Sequence, residues 1–235
     1  MMCRLVIVPA VISIAVLACG LAYGAPSIFG PTGVLLTPNA EVVGRGGLDV
    51  GAHFIDLDTP LTGDMNLAAY KATVGLSDRF EVTGAFLSVD NGAVGADQDE
   101  FIVHGKYQLV PSRSHGTSVA VGVIDLFEDA LGDIVFYGAL SRTADRDMTH
   151  KRLVRGTVGL AFADNIGGRG DDTEIFASLE VGVSNRVIGL VERFNDDLSF
   201  GGRIEIVQRL QIHVASVQAG GDREFLIGGA YHASW

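Results

Sequence analysis

With 235 residues, 31 of them Gly, and 48% hydrophobic side chains at a mean hydropathy of +0.32, the chain has the size of one all-β domain and is more apolar than an ordinary soluble enzyme. Its formal net charge of -11 excludes a nucleic-acid binder, which needs a basic face. Both cysteines, Cys3 and Cys19, fall in the first segment, which excludes disulfides and cysteine metal sites from the rest.

Residues 1–24 read as an export signal. Arg4 is followed by an apolar core from Leu5 to Leu21, and Ala22 and Gly24 supply small residues ahead of Ala25-Pro26. Val16-Leu17-Ala18-Cys19 is a rival processing site that would leave a lipid on Cys19. Either route takes the protein out of the cytoplasm. Past this segment no apolar run reaches the roughly 18 residues of a helical membrane span. Any crossing must then be made by strands.

Residues 25–46 are rich in Pro and Gly. Pro31 and Pro38 forbid a central strand, and Gly30-Pro31 and Pro38-Asn39 are turn pairs. Two readings stand here: a short ordered piece tucked under or into a barrel mouth, or a linker.

From Leu48 on, apolar and polar residues alternate, as on a strand whose side chains point to opposite faces. Leu48, Val50, Ala52 and Phe54 alternate with Asp49, Gly51 and His53. Similar stretches follow at residues 68–76, 80–86, 101–109, 116–125, 133–142, 153–163, 175–183, 187–193, 198–206 and 210–215. The last is Phe225–Trp235, where Phe225, Ile227, Tyr231 and Trp235 lie on the apolar phase. It reads as the closing strand of a barrel, with an aromatic at the lipid boundary. The tally is about twelve strands over residues 47–235, and an even count puts both ends on one side. The expected fold is therefore all-β: a transmembrane antiparallel up-and-down barrel after a cleaved signal peptide.

The connections sort by charge. Ser77-Asp78-Arg79, Ser184-Asn185-Arg186 and Gln208-Arg209 are short, and Thr143–Arg152 is long but basic. Asp56–Asp64, Asp90–Glu100, Phe127–Gly132, Asp164–Asp172, Asn195–Asp197 and Gly220–Arg223 are acidic and mostly longer. Strand order makes the two sets alternate, as periplasmic turns and extracellular loops do. A soluble β-sandwich, the alternative all-β reading, gives no reason for that segregation.

Ile28-Phe29-Gly30-Pro31-Thr32-Gly33-Val34-Leu35-Leu36-Thr37-Pro38-Asn39-Ala40, followed by Gly47-Leu48-Asp49-Val50-Gly51, resembles the N-terminal signature of YjbH-like outer-membrane proteins. The resemblance implies an outer-membrane β-barrel of a Gram-negative bacterium associated with exopolysaccharide assembly or export. Its expected partners are outer-membrane lipid, the barrel-assembly machinery, and exopolysaccharide or its export proteins.

The polar phase supplies the candidate lumen-facing residues: His53, Lys71, Glu81, His104, Lys106, Glu180, Arg203, Glu205, His213 and His232. Opposite charges among them are expected to pair across strands and plug the pore. His213 and His232 lie near the same mouth on successive strands, within reach of one another as a metal pair or a pH-sensitive group. Plain lumen lining is the simpler reading. Asp90–Glu100 lacks the spacing of a calcium loop, and Gly167–Asp172 lacks the Lys-Ser/Thr of a phosphate loop. No Gly-x-Ser-x-Gly occurs, and nothing in the sequence ties Ser88 or Asp49 to a His, as a barrel hydrolase requires. No enzyme activity and no cofactor are expected. A porin-like passive channel for small solutes shares the same barrel.

Overall fold

The computed structural model describes residues 27, 30–59, 63–91, 98–111, 116–126, 134–145, 153–163, 172–219 and 222–234. Twelve strands follow one another: β1 (Gly47–Thr59), β2 (Gly63–Gly75), β3 (Phe80–Asn91), β4 (Gln98–Val110), β5 (Thr117–Ile124), β6 (Val135–Asp145), β7 (Leu153–Ala163), β8 (Asp172–Gly182), β9 (Val187–Phe194), β10 (Asp197–Val207), β11 (Leu210–Ala219) and β12 (Asp222–Ser234). Each pairs antiparallel with its sequence neighbours, and β1 pairs β12 from Gly47↔Ser234 to Asp56↔Phe225. The sheet is a closed barrel with no free edge, so each strand has a ladder partner on both sides. No described helix is long and apolar enough to cross a membrane.

Several strands run further than the hydrophobic pattern suggests. Asp56–Asp64 reads as a connection, yet β1 continues to Thr59 and β2 resumes at Gly63, with Asp56 opposite Asn66 and Leu57 opposite Met65. Likewise β3 reaches Asn91 and β4 starts at Gln98. Pairing is a backbone property, and it outlasts the apolar band that side chains advertise. Phe127–Gly132, most of Asp164–Asp172 and the greater part of Thr143–Arg152 lie outside the described residues, as do residues 1–26, Ile28, Phe29 and Trp235.

At the end where β1 begins, called the lower end below, two turns use one chemistry. In Leu76–Arg79 the amides of Leu76 and Ser77 donate to Phe80 O, and Arg79 N donates to Ser77 Oγ. In Val183–Arg186 the amides of Val183 and Ser184 donate to Val187 O, and Arg186 N donates to Ser184 Oγ. A Ser hydroxyl closing a local turn in this way explains the shared Ser-Asp/Asn-Arg sequence. The carbonyls of Arg79, Arg186 and Arg209 then accept amides of the next strand over, at Gln108, Glu205 and His232.

The two faces of the barrel differ sharply. Outward, thirty large apolar side chains among the described residues are exposed, from Phe54 on β1 through Val158 on β7 to Ile227 on β12. Inward, the lower half is polar, with His53, Lys71, Thr73, Glu81, Lys106, Arg155, Glu180, Arg203 and His213 all buried. The upper half is mixed, with Glu192, Ser178 and Ser199 buried among apolar side chains, contrary to the polar interior expected from the alternation. Ile55, Leu67, Leu87, Ile102, Leu190, Val217 and Leu226 point inward there and form one buried cluster with Val34 and Leu35. A second cluster holds Tyr137, Ala139, Ala161 and Phe176 against Ala40. The interior is a packed core rather than a uniform water-lined tube.

Candidate functional site: a lumen closed by the N-terminal segment

Of the two readings of residues 25–46, the structure selects the insertion into the barrel. Thr32, Val34, Leu35, Thr37, Asn39, Ala40 and Val43 are buried inside it. The segment folds back on itself as a small hairpin. Gly33 bridges Pro38, Val34 N donates to Thr37 O at 2.9 Å, and Asn39 N donates to Thr32 O at 3.2 Å. Gly33 must be Gly, because a Cβ there would sit 2.2 Å from Thr37 O. The chain leaves the lumen over Gly75 at the foot of β2, where a Cβ would meet Gly44 O at 2.0 Å.

A hairpin this short cannot satisfy its own backbone, and buried amides without acceptors are costly. Two barrel carboxylates take them. Glu192 on β9 accepts the amides of Leu35 at 3.1 Å, Leu36 at 3.0 Å and Thr37 at 3.1 Å, plus the Thr37 hydroxyl at 2.7 Å. Glu81 on β3 accepts Thr32 N at 3.0 Å through Oε1 and Val43 N at 2.6 Å through Oε2. Lys106 on β4 pairs with Glu81 at 3.0 Å and donates to Thr32 O at 2.8 Å, to Asn39 O at 3.3 Å and to the Thr32 hydroxyl. Gln108 Nε2 donates to Ala40 O at 2.7 Å, and Ala40 N donates to Ser141 Oγ at 2.9 Å. The plug is thus held at its tip by Glu192 and at its base by Glu81 and Lys106.

Charge pairing across strands is present. Glu180 on β8 is held between Arg155 on β7 at 2.9 Å and Arg203 on β10 at 3.2 Å, and Arg203 also donates to Val34 O at 3.3 Å. His213 meets His53 rather than His232: His53 Nε2 and His213 Nδ1 lie 3.2 Å apart. The contact passes over Gly228 of β12, where a Cβ would come within 2.2 Å of the His53 ring. A side chain between β1 and β11 would block that approach; Gly permits it. His232 instead bonds Asp49 through Nδ1, which ties Asp49 to a histidine after all. His232 Nε2 has no hydrogen-bond partner in the structure, so no described serine completes a triad. His104 Nδ1 accepts Asp125 N at 3.2 Å. Glu205 lies at the lower rim, half-buried beside the Arg209 amide at 3.4 Å, and takes no part in the plug contacts.

On the closing strand, Phe225 and Ile227 are exposed outward, while Tyr231 is half-buried and faces Val50 and Leu210 across the ladder. The residues that sequence reasoning missed are Glu192, Arg155, Thr32 and Thr37. The first two were legible as lone charges on an inward phase among apolar neighbours. The threonines carry no pattern, since their roles come from the plug's fold. Among the described residues, no group of three or more His, Cys, Asp or Glu is placed to hold a metal ion.

No family model matches the chain, and no curated protein matches it. Among solved structures, a mutant of the Rh. blastica porin is similar with a TM-score of 0.27 and 6% identity, covering 80% of this chain and 98% of that one. A likeness of that size carries no argument about what this chain does.

Proposed function

We propose that this chain is an outer-membrane β-barrel of a Gram-negative bacterium, closed at rest by its own N-terminal hairpin and serving exopolysaccharide assembly or export. The observation that carries the membrane part is the outward face. Thirty exposed large apolar side chains are spread over the strands of a closed sheet. A soluble monomer rarely exposes a contiguous patch beyond a few hundred Å², whereas a barrel in lipid requires such a belt and must have all its backbone groups paired. The exopolysaccharide part rests on the resemblance at Ile28–Gly51. The plug is built largely from those residues, so the signature coincides with the piece that fills the lumen.

A porin-like solute channel is the second reading, favoured by the charged lower half of the lumen. Planar-bilayer recording separates the two. The closed-barrel reading expects little steady conductance from the intact protein and stepwise conductance after deletion of residues 27–43, with heat-modifiable gel mobility in both. Steady ohmic current from the intact protein supports the passive channel instead. A wild-type exopolysaccharide yield in a strain lacking the protein would sink the exopolysaccharide part. We propose no enzymatic role.

A further inference from the structure

We propose that the lower lumen holds a binding site for a small oxyanion, formed by Lys71, His53, His213 and Arg203. The four lie on β2, β1, β11 and β10, all buried on the inward face and within electrostatic reach of one another. None of the four is spent on the plug except Arg203, which gives one nitrogen to Glu180 and one to Val34 O. What remains is an excess of donors. Lys71 Nζ has no hydrogen-bond partner, although Lys71 is only 4% exposed. Arg203 Nε has none either. His53 Nδ1 and His213 Nε2 are also unpartnered, and the single proton shared between the two rings leaves at least one outer N–H free.

The backbone positions paired with these donors carry small side chains. Lys71 stands opposite Gly51 and Ala85, His53 opposite Ala69 and Gly228, and His213 opposite Gly228, so small residues flank the donors. Among the described residues, the acceptors left open nearby are Asp49 Oδ2, Gln211 Oε1 and whichever outer imidazole nitrogen carries no proton. Buried polar groups without partners are rare in folded proteins and mark a place for something else. The Lys71 amine, a guanidinium N–H and an imidazole N–H together exceed these acceptors in donor hydrogens, and the balance calls for an acceptor-rich anion. A divalent cation between the two histidines would face Lys71 and Arg203 at close quarters, which disfavours it.

The class is therefore a sulfate, a phosphate or a carboxylate, whether free or carried on an acidic sugar. The site stands on lumen geometry and does not need the exopolysaccharide reading to hold. Its test is calorimetric titration of the full refolded barrel in detergent with sodium sulfate and, separately, sodium glucuronate. Saturable one-site binding of either is expected, weakened by about tenfold or more in Lys71→Met, the loss expected for one charge-assisted bond. Lys71→Arg and His213→Gln guard against misfolding of the Met variant: the first should retain binding and the second should weaken it, both with a heat-modifiable band. Sulfate binding alone points to a free inorganic anion, and tighter glucuronate binding points to an acidic sugar. Absence of saturable binding by both probes overturns the site. So does unchanged affinity in Lys71→Met, or saturable zinc binding in their place.

Discussion

The polar side chains that hold the plug and a second set beside it are built from the same kinds of residue and end in opposite states. In the first set, Glu81, Lys106, Gln108, Ser141 and Glu192 are completed by the hairpin's backbone. In the second set, Lys71 Nζ, His53 Nδ1, His213 Nε2 and Arg203 Nε find no hydrogen-bond partner, although Arg203 gives another nitrogen to Val34 O of the plug. Both sets are buried, so solvent exposure does not separate them. The difference is the irregular backbone itself. A short hairpin offers more amides than it can use, and a wall of acceptors beside it becomes a socket.

Breaking the socket should have the largest effect. Glu81→Leu leaves Lys106 buried without its carboxylate, at a cost of about 3–5 kcal/mol. Adding Lys106→Met should return part of that loss, because the pair is then gone rather than broken. Urea unfolding of the liposome-inserted barrel measures both. A double variant no more stable than the single one would mean that the ion pair is not what matters there.

Glu192→Ala comes next. It strips the acceptor from two buried amides, one half-buried amide and one hydroxyl, at a cost on the order of 3 kcal/mol. The expected readout is local rather than global: conductance steps appear while the barrel band stays heat-modifiable. Loss of the whole barrel would show that the tip contact holds up the sheet and not only the hairpin.

The smallest change sharpens the second set. Gly228→Ala places a methyl against the His53 ring and should separate it from His213, costing about 1–2 kcal/mol through local overpacking. Imidazole nitrogen shifts measured by NMR in micelles should report the loss of the His–His contact with the plug contacts unchanged. Identical shifts in wild type and variant would place the two rings apart already.

Much of this architecture was legible in the chain. Period-two alternation placed all twelve strands, and the pairing of Leu48–Phe54 with the last strand follows from closure. The turns were legible from Ser-Asp-Arg and Ser-Asn-Arg, because a hydroxyl that closes a turn is a local event. The filled upper lumen was half legible. Ile102, Phe176 and Leu226 stand on the inward phase in the sequence, but an expected polar interior made them look like exceptions. The plug was the least legible part. Its ordering comes from Glu192 and Glu81, which lie far along the chain, and no local pattern in Thr32–Val43 encodes a partner so distant. Lys106 shows the same limit: its phase placed it in the lumen, but nothing near it in sequence said that three oxygens of the hairpin would surround its ammonium.

The short tether between Val43 and Gly47 has a consequence for the opening proposed above. Because the hairpin is covalently joined to the foot of β1, it acts as a ligand that cannot diffuse away. A displaced hairpin remains at an effective concentration on the order of millimolar near its own socket. A free peptide of the same sequence would have to outnumber that local copy before it took the place. Under the proposed function, opening would therefore be a question of how long the hairpin stays out and not of whether it comes back, and any factor that held it outside, even weakly, would set the fraction of time that the passage exists.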